Sequence, residues 1–156
     1  MLFAPLKYLH LLAVIVWLGG MAFSHFFLRP AVQTLEPAAR VQLMHAVLKR
    51  FFAAMLFAVA VVLLSGAGMV ASVYHMAAQA GLQFKMPLSW HVMALLGLVM
   101  AGIFGHIRFA LFKRLDRAVQ AGDWPAGGKA LASIRVWVAA NLALGVAIVT
   151  VLRLAV

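Results

Sequence analysis

Histidine without cysteine sets the chemistry open to this chain of 156 residues: it has six of the first and none of the second. Four of the histidines form two matched pairs. His10 and His25 bracket the apolar run LHLLAVIVWLGGMAFSHFF, and His91 and His106 bracket HVMALLGLVMAGIFGH. A shift of 81 positions carries His10 onto His91, Phe23 onto Phe104, Ser24 onto Gly105 and His25 onto His106. Neutral imidazole suits haem iron and copper alike. The absence of cysteine removes disulfides, thiolate metal sites, iron–sulfur clusters and thiol nucleophiles.

The elements that must carry these rings are membrane spans. The chain is 67% hydrophobic and 10% charged, with a mean hydropathy of +1.07. A soluble domain of this size could not hide so much apolar surface. Four apolar runs, each about 20 residues long, match the hydrocarbon thickness of a bilayer. They predict an all-α integral membrane protein, one domain over 1–156, folded as a four-helix antiparallel bundle with spans near 5–28, 51–74, 87–112 and 131–152. The first run lacks the charge-then-short-core order of a signal peptide, and Arg29 follows it, so it reads as a retained span. Leu28-Arg29-Pro30 closes it. Residues 31–50 connect it to the second span, their basic half entering that span as one helix. AGDWPAGG at 121–128 is rich in turn formers and is expected to break the chain before the last span, which Arg153 closes.

Basic residues outnumber acidic ones 13 to 3. In a membrane protein this excess points to cationic loops facing anionic lipid, and not to nucleic acid. The connectors after the first and third spans hold most of the charge. The positive-inside rule therefore predicts a multi-pass protein of a bacterial cytoplasmic membrane, with both termini periplasmic. Tyr8, Tyr74 and Trp90 then form an outer aromatic belt, with Trp124 at the inner face. The three acids, Glu36, Asp116 and Asp123, are expected in loops, which leaves no carboxylate in the membrane for proton relay.

In this topology the first and third spans run in the same sense. Within each, the 15-residue spacing of the histidines is about 22 Å of helix, and the two rings fall about 60° from one line. Four imidazoles on one seam would clasp one or two b-type haems, His10 with His91 and His25 with His106. Gly19, Gly20, Gly97, Gly102 and Gly105 would make room for a macrocycle. Arg29 and Arg108 would meet propionates, and Trp17, on the His10 face, would pack a cofactor edge. Such a cytochrome would pass electrons between membrane quinone and a periplasmic or inner partner. A homodimer through the glycines of the second span is a further expectation.

Two other readings use the same residues. Met21, Met44, Met55, Met69, Met76, Met86, Met93 and Met100 lie in or near the spans, and thioether with imidazole suits copper(I). Methionine is also ordinary core filler, and lone histidines often sit at interfaces, which describes a cofactor-free accessory subunit. Asn141, the one amide of the fourth span, is expected to bond across helices, with a quinone or haem contact as the alternative.

Leu9-His10-Leu11, Trp17-Leu18-Gly19-Gly20, Leu28-Arg29-Pro30, Arg50-Phe51-Phe52 and Leu64-Ser65-Gly66 resemble the copper-resistance CopD family of bacterial inner-membrane proteins, from end to end in span order. The resemblance implies copper handling, by a minimal four-span version of a longer family. The first-span pattern is also similar to HemJ-type protoporphyrinogen oxidases, a similarity that implies haem on His10. Ser24-His25-Phe26 departs from the proline–arginine pair of that family.

Overall fold

The structure is a computed structural model that describes the backbone of residues 2–154 and the side chains of 2–150. Arg153, expected to close the last span, lies outside the described side chains. Four helices are long and apolar enough to cross a membrane. They are α1 (Phe3–Thr34), α2 (Pro37–Gln79) and α3 (Leu88–Gln120), followed by α4 (Trp124–Leu154). The expected all-α membrane bundle is therefore present.

Each helix buries one stripe. In α1 it is Ala13, Trp17 and Met21, and in α2 Val41, Met44, Leu48, Phe52, Met55 and Val59. Steps of three and four residues keep such a stripe on one face of a 3.6-residue turn. The other faces expose leucine, valine and phenylalanine, as lipid-facing surfaces do. α1 lies along α2 and α3 along α4, while α4 also touches α1 and α2. Close approach depends on three glycines among the described residues, one of them Gly127 of α4, where a Cβ would meet Val41 of α2 at 2.7 Å. A Cβ on Gly20 would meet the Phe51 ring, and one on Gly145 would strike Leu18 and reach Met100.

Three features refine the sequence expectations. α2 is one helix of 43 residues, so the basic connector does enter the span without a break. α3 continues without a break to Gln120, which places Asp116 inside a helix and not in a loop. The break before α4 is confined to 121–123: Asp123 Oδ1 accepts the Ala126 N–H at 2.9 Å, and Pro125 fits the first turn, where its missing N–H costs nothing.

Both α1 and α3 contain a π turn, at Ser24–Leu28 and Ile107–Leu111. The 81-residue repeat carries the first onto 105–109, overlapping the second. The second π turn thus starts two residues past the image of the first, and both sit at the end of the bundle that holds Arg29, Arg40, Arg114 and Arg135, hereafter the basic end. Packing is tight toward that end. Among the described residues no buried one falls within 66–99, so the first half of α3 is open at the opposite, loop end.

Candidate functional site

His10 is partly buried where α1 meets α2. Its Nδ1 lies 3.0 Å from the Val62 carbonyl oxygen and 3.0 Å from Ser65 Oγ. A carbonyl can only accept, so Nδ1 carries the hydrogen and donates it. In the neutral ring this leaves the Nε2 lone pair free. Ser65 is itself 3% exposed, its hydroxyl donating to the Val61 carbonyl. Gly66 lies against the ring, where a Cβ would sit in ordinary contact 3.5 Å from His10 Cε1. Metal-binding histidines are commonly fixed by such a carbonyl on the second nitrogen.

The other three expected ligands have separate surroundings. His91 is exposed, with Nδ1 donating to Pro87 O of its own helix at 3.1 Å. His25 lies edge-on to Phe26, with ring centroids 4.9 Å apart. His106 is exposed and rests on Trp137 of α4, centroids 5.0 Å apart. α1 and α3 meet through Trp17 and Phe104, edge to face at 6.2 Å. That contact pairs positions 87 apart, whereas the repeat is 81, an offset of six residues or about 9 Å of helix rise. Two large aromatic rings thus set a register that does not level His10 with His91.

Haem fits these side chains poorly as they are placed. Arg108 stacks its guanidinium 5.4 Å from the Phe112 ring centre and 5.7 Å from that of Phe109, and Trp17 is spent on Phe104. Gly20 faces Phe51, and Gly19, Gly97, Gly102 and Gly105 have no side chain close enough to define a slot. The bis-histidine seam expected from spacing is not what these contacts assemble.

The core offers a softer donor set. Met21, Met55 and Met100 are buried at 2%, 3% and 4% exposure, in one contiguous cluster with Trp17 and Phe104. Asn141 is 1% exposed, and neither its amide nitrogen nor its oxygen has a hydrogen-bond partner. The expected bond across helices is absent. One turn on, Gly145 faces Leu18 and Met100, which places this stretch of α4 against both α1 and α3. An unpaired amide in the bilayer interior is costly, and such groups mark functional positions.

The profile of one family, Copper resistance protein D (CopD), matches residues 45–155. The chain belongs to the CopD family. No curated protein and no solved structure gives a significant match. The CopD match begins at His45, so the first-span residues His10, Trp17, His25 and Arg29 lie outside it.

Two features of this CopD protein escape a reading of the sequence. His45 Nε2 lies 2.7 Å from Asp116 Oδ1, tying α2 to α3. Its ring stacks on Phe112, 4° from parallel, and Gln120 donates to the other carboxylate oxygen. The only hint was an acid placed just beyond a span. The second is a cavity of about 260 Å³ at the basic end, where α1, α2 and α4 meet. No spacing rule brings those three segments together. Among the described residues no group of three or more histidine or acidic side chains is placed to hold a metal.

Proposed function

We propose that this CopD protein binds copper(I) within the membrane, with copper as cargo and not as a resident cofactor. The observation that carries the reading is Asn141, buried with both amide atoms unpaired, whose chain neighbour Leu142 belongs to the same buried cluster as Met21, Met55 and Met100. Thioethers are soft, neutral ligands suited to copper(I). The amide dipole offsets part of the cost of a cation in a low-dielectric interior. His10, with Nε2 free, supplies an imidazole nearer the loop end. By the positive-inside rule the loop end is periplasmic and the basic end cytoplasmic, so copper would be taken from the periplasmic side. Family membership supports copper. The expectations of haem and quinone draw no support from the contacts.

The test is a copper(I) titration of purified protein in lipid nanodiscs against a chromogenic chelator. Wild type is expected to take up copper in a fixed ratio. The triple variant Met21→Leu, Met55→Leu, Met100→Leu keeps core volume nearly constant and is expected to lose that copper. A triple variant that binds as wild type does refutes the methionine core as the site. The absorption spectrum of the same sample reports on haem directly, through a Soret band.

A further inference from the structure

The cavity at the basic end is walled on its deep side by Val41, Met44, Leu48, Ile134 and Val138. Its rim is cationic. Arg29 from α1, Arg40 from α2 and Arg135 from α4 all line it, with His25 beside them. All three arginines are partly buried. The π turn helps to set this rim: with Arg29 N–H bonded to Ser24 O, Ser24, His25 and Arg29 all line the cavity.

Arg40 is held in place before any ligand arrives. Its Nη1 donates to Gln33 Oε1 at 3.1 Å and its Nη2 to Leu35 O at 3.2 Å. Its Nε is buried with no partner. Among the described residues the one close pairing of opposite charges is His45 with Asp116, so no carboxylate neutralises the rim. Asp123 is engaged with the Ala126 N–H, and Glu36 is exposed. The first turns of α2 and α4, at Pro37 and Trp124, also line the cavity, and their dipoles add potential of the same sign. Three guanidiniums that stay charged at all working pH values repel one another around a partly closed space. An anion relieves that repulsion.

We infer that this cavity is a binding site for a phosphate ester of net negative charge with an apolar body, its phosphate on Arg29, Arg40 and Arg135 and its apolar part against Val41, Leu48 and Val138. Guanidinium forks match phosphate oxygens in geometry as well as charge. An anionic phospholipid meets both requirements, and a soluble phosphate meets the first. The site is distinct from the copper reading, because three positive charges oppose a bare cation.

The experiment measures melting temperature and lipid retention, the latter by native mass spectrometry. The full chain is compared in phosphatidylcholine nanodiscs, in the same nanodiscs doped with phosphatidylglycerol, and in phosphatidylcholine with inorganic phosphate added. Phosphatidylglycerol is expected to raise the melting temperature and to be retained as one molecule per chain. Among the described residues the Arg135 side chain makes no hydrogen bond, so Arg135→Gln removes none that folding would miss. It should weaken retention roughly tenfold, the factor for one charge-assisted hydrogen bond. Arg40→Gln should do the same, while Arg114→Gln, exposed and outside the cavity, should not. The same stabilisation by inorganic phosphate, lost in Arg135→Gln, supports the site and makes its ligand a soluble anion. No stabilisation in either arm, or equal loss in Arg114→Gln, overturns the proposal and leaves only diffuse attraction of basic loops to anionic lipid.

Discussion

At the scale of single residues, Asn141 and Ser65 show opposite ways of placing a polar group in a membrane interior. Ser65 is fully used: it donates to Val61 O and shares the His10 hydrogen with Val62 O. Asn141 has both amide atoms idle. A buried amide without partners costs on the order of 1–3 kcal/mol. Asn141→Leu is therefore expected to raise the melting temperature while weakening copper(I) binding, a split read by thermal unfolding and chelator competition on one preparation. A variant that gains stability and keeps its copper shows that the amide serves something else. Ser65→Ala removes an orienting contact and not a ligand. It should weaken copper(I) binding about tenfold with helix content unchanged, and full affinity would clear Ser65 of that role. His10 was legible as a candidate from its type and place in the span. Its bonds to α2 were not, because they depend on which face of α2 packs against α1, and that is set by tertiary contacts between residues more than 50 positions apart.

At the scale of elements, the glycines at tight helix contacts are separable from the rest. Gly145→Leu and Gly20→Leu force a side chain into Leu18 and Phe51 respectively, and overpacking of this kind costs about 1–3 kcal/mol. Gly19→Ala meets nothing within 4 Å and should leave the melting temperature where it was. A destabilised Gly19→Ala would mean that another surface covers that face. The spans were readable from hydropathy, and the unbroken entry of the basic connector into α2 followed from its apolar periodicity. The π turns were not readable, since one extra residue per turn leaves no mark in composition. Their removal is testable. Deleting Phe27 should restore α-helical register, turn His25 and Ser24 about 100° relative to Arg29, and abolish phospholipid retention at the cavity. The His45–Asp116 pair asks for less. The carboxylate is 38% exposed, and solvent screening limits such a pair to about 1 kcal/mol or less.

At the scale of the whole molecule, the bundle is unequal along its length. Buried residues crowd toward the basic end, and none among the described residues falls within 66–99. Hydrogen exchange in nanodiscs should therefore be faster over 88–99 than over 100–118, since sparse packing lowers the cost of local opening. Equal protection would mean that lipid or a further protein surface closes the loop end. This inequality also explains which part of the histidine pattern spacing could not foresee. The repeat of 81 positions stands in the sequence, and the π turns fall within two residues of it, but the level of one helix against another is set by bulky side chains. Trp17 against Phe104 fixes that level, and the first half of α3, with His91 on it, has little to hold it to α1.

α2 offers a last consequence. Its 43 residues rise about 64 Å, roughly twice a bilayer's hydrocarbon core. Between Ala38 and Ser65 it contains neither proline nor glycine, so it has no hinge. One stiff lever thus joins the imidazole clasp at Ser65 to the wall of the arginine-rimmed cavity at Val41, Met44 and Leu48. A tilt imposed where His10 takes hold must be felt as a change of cavity width some 30 Å away, by leverage alone.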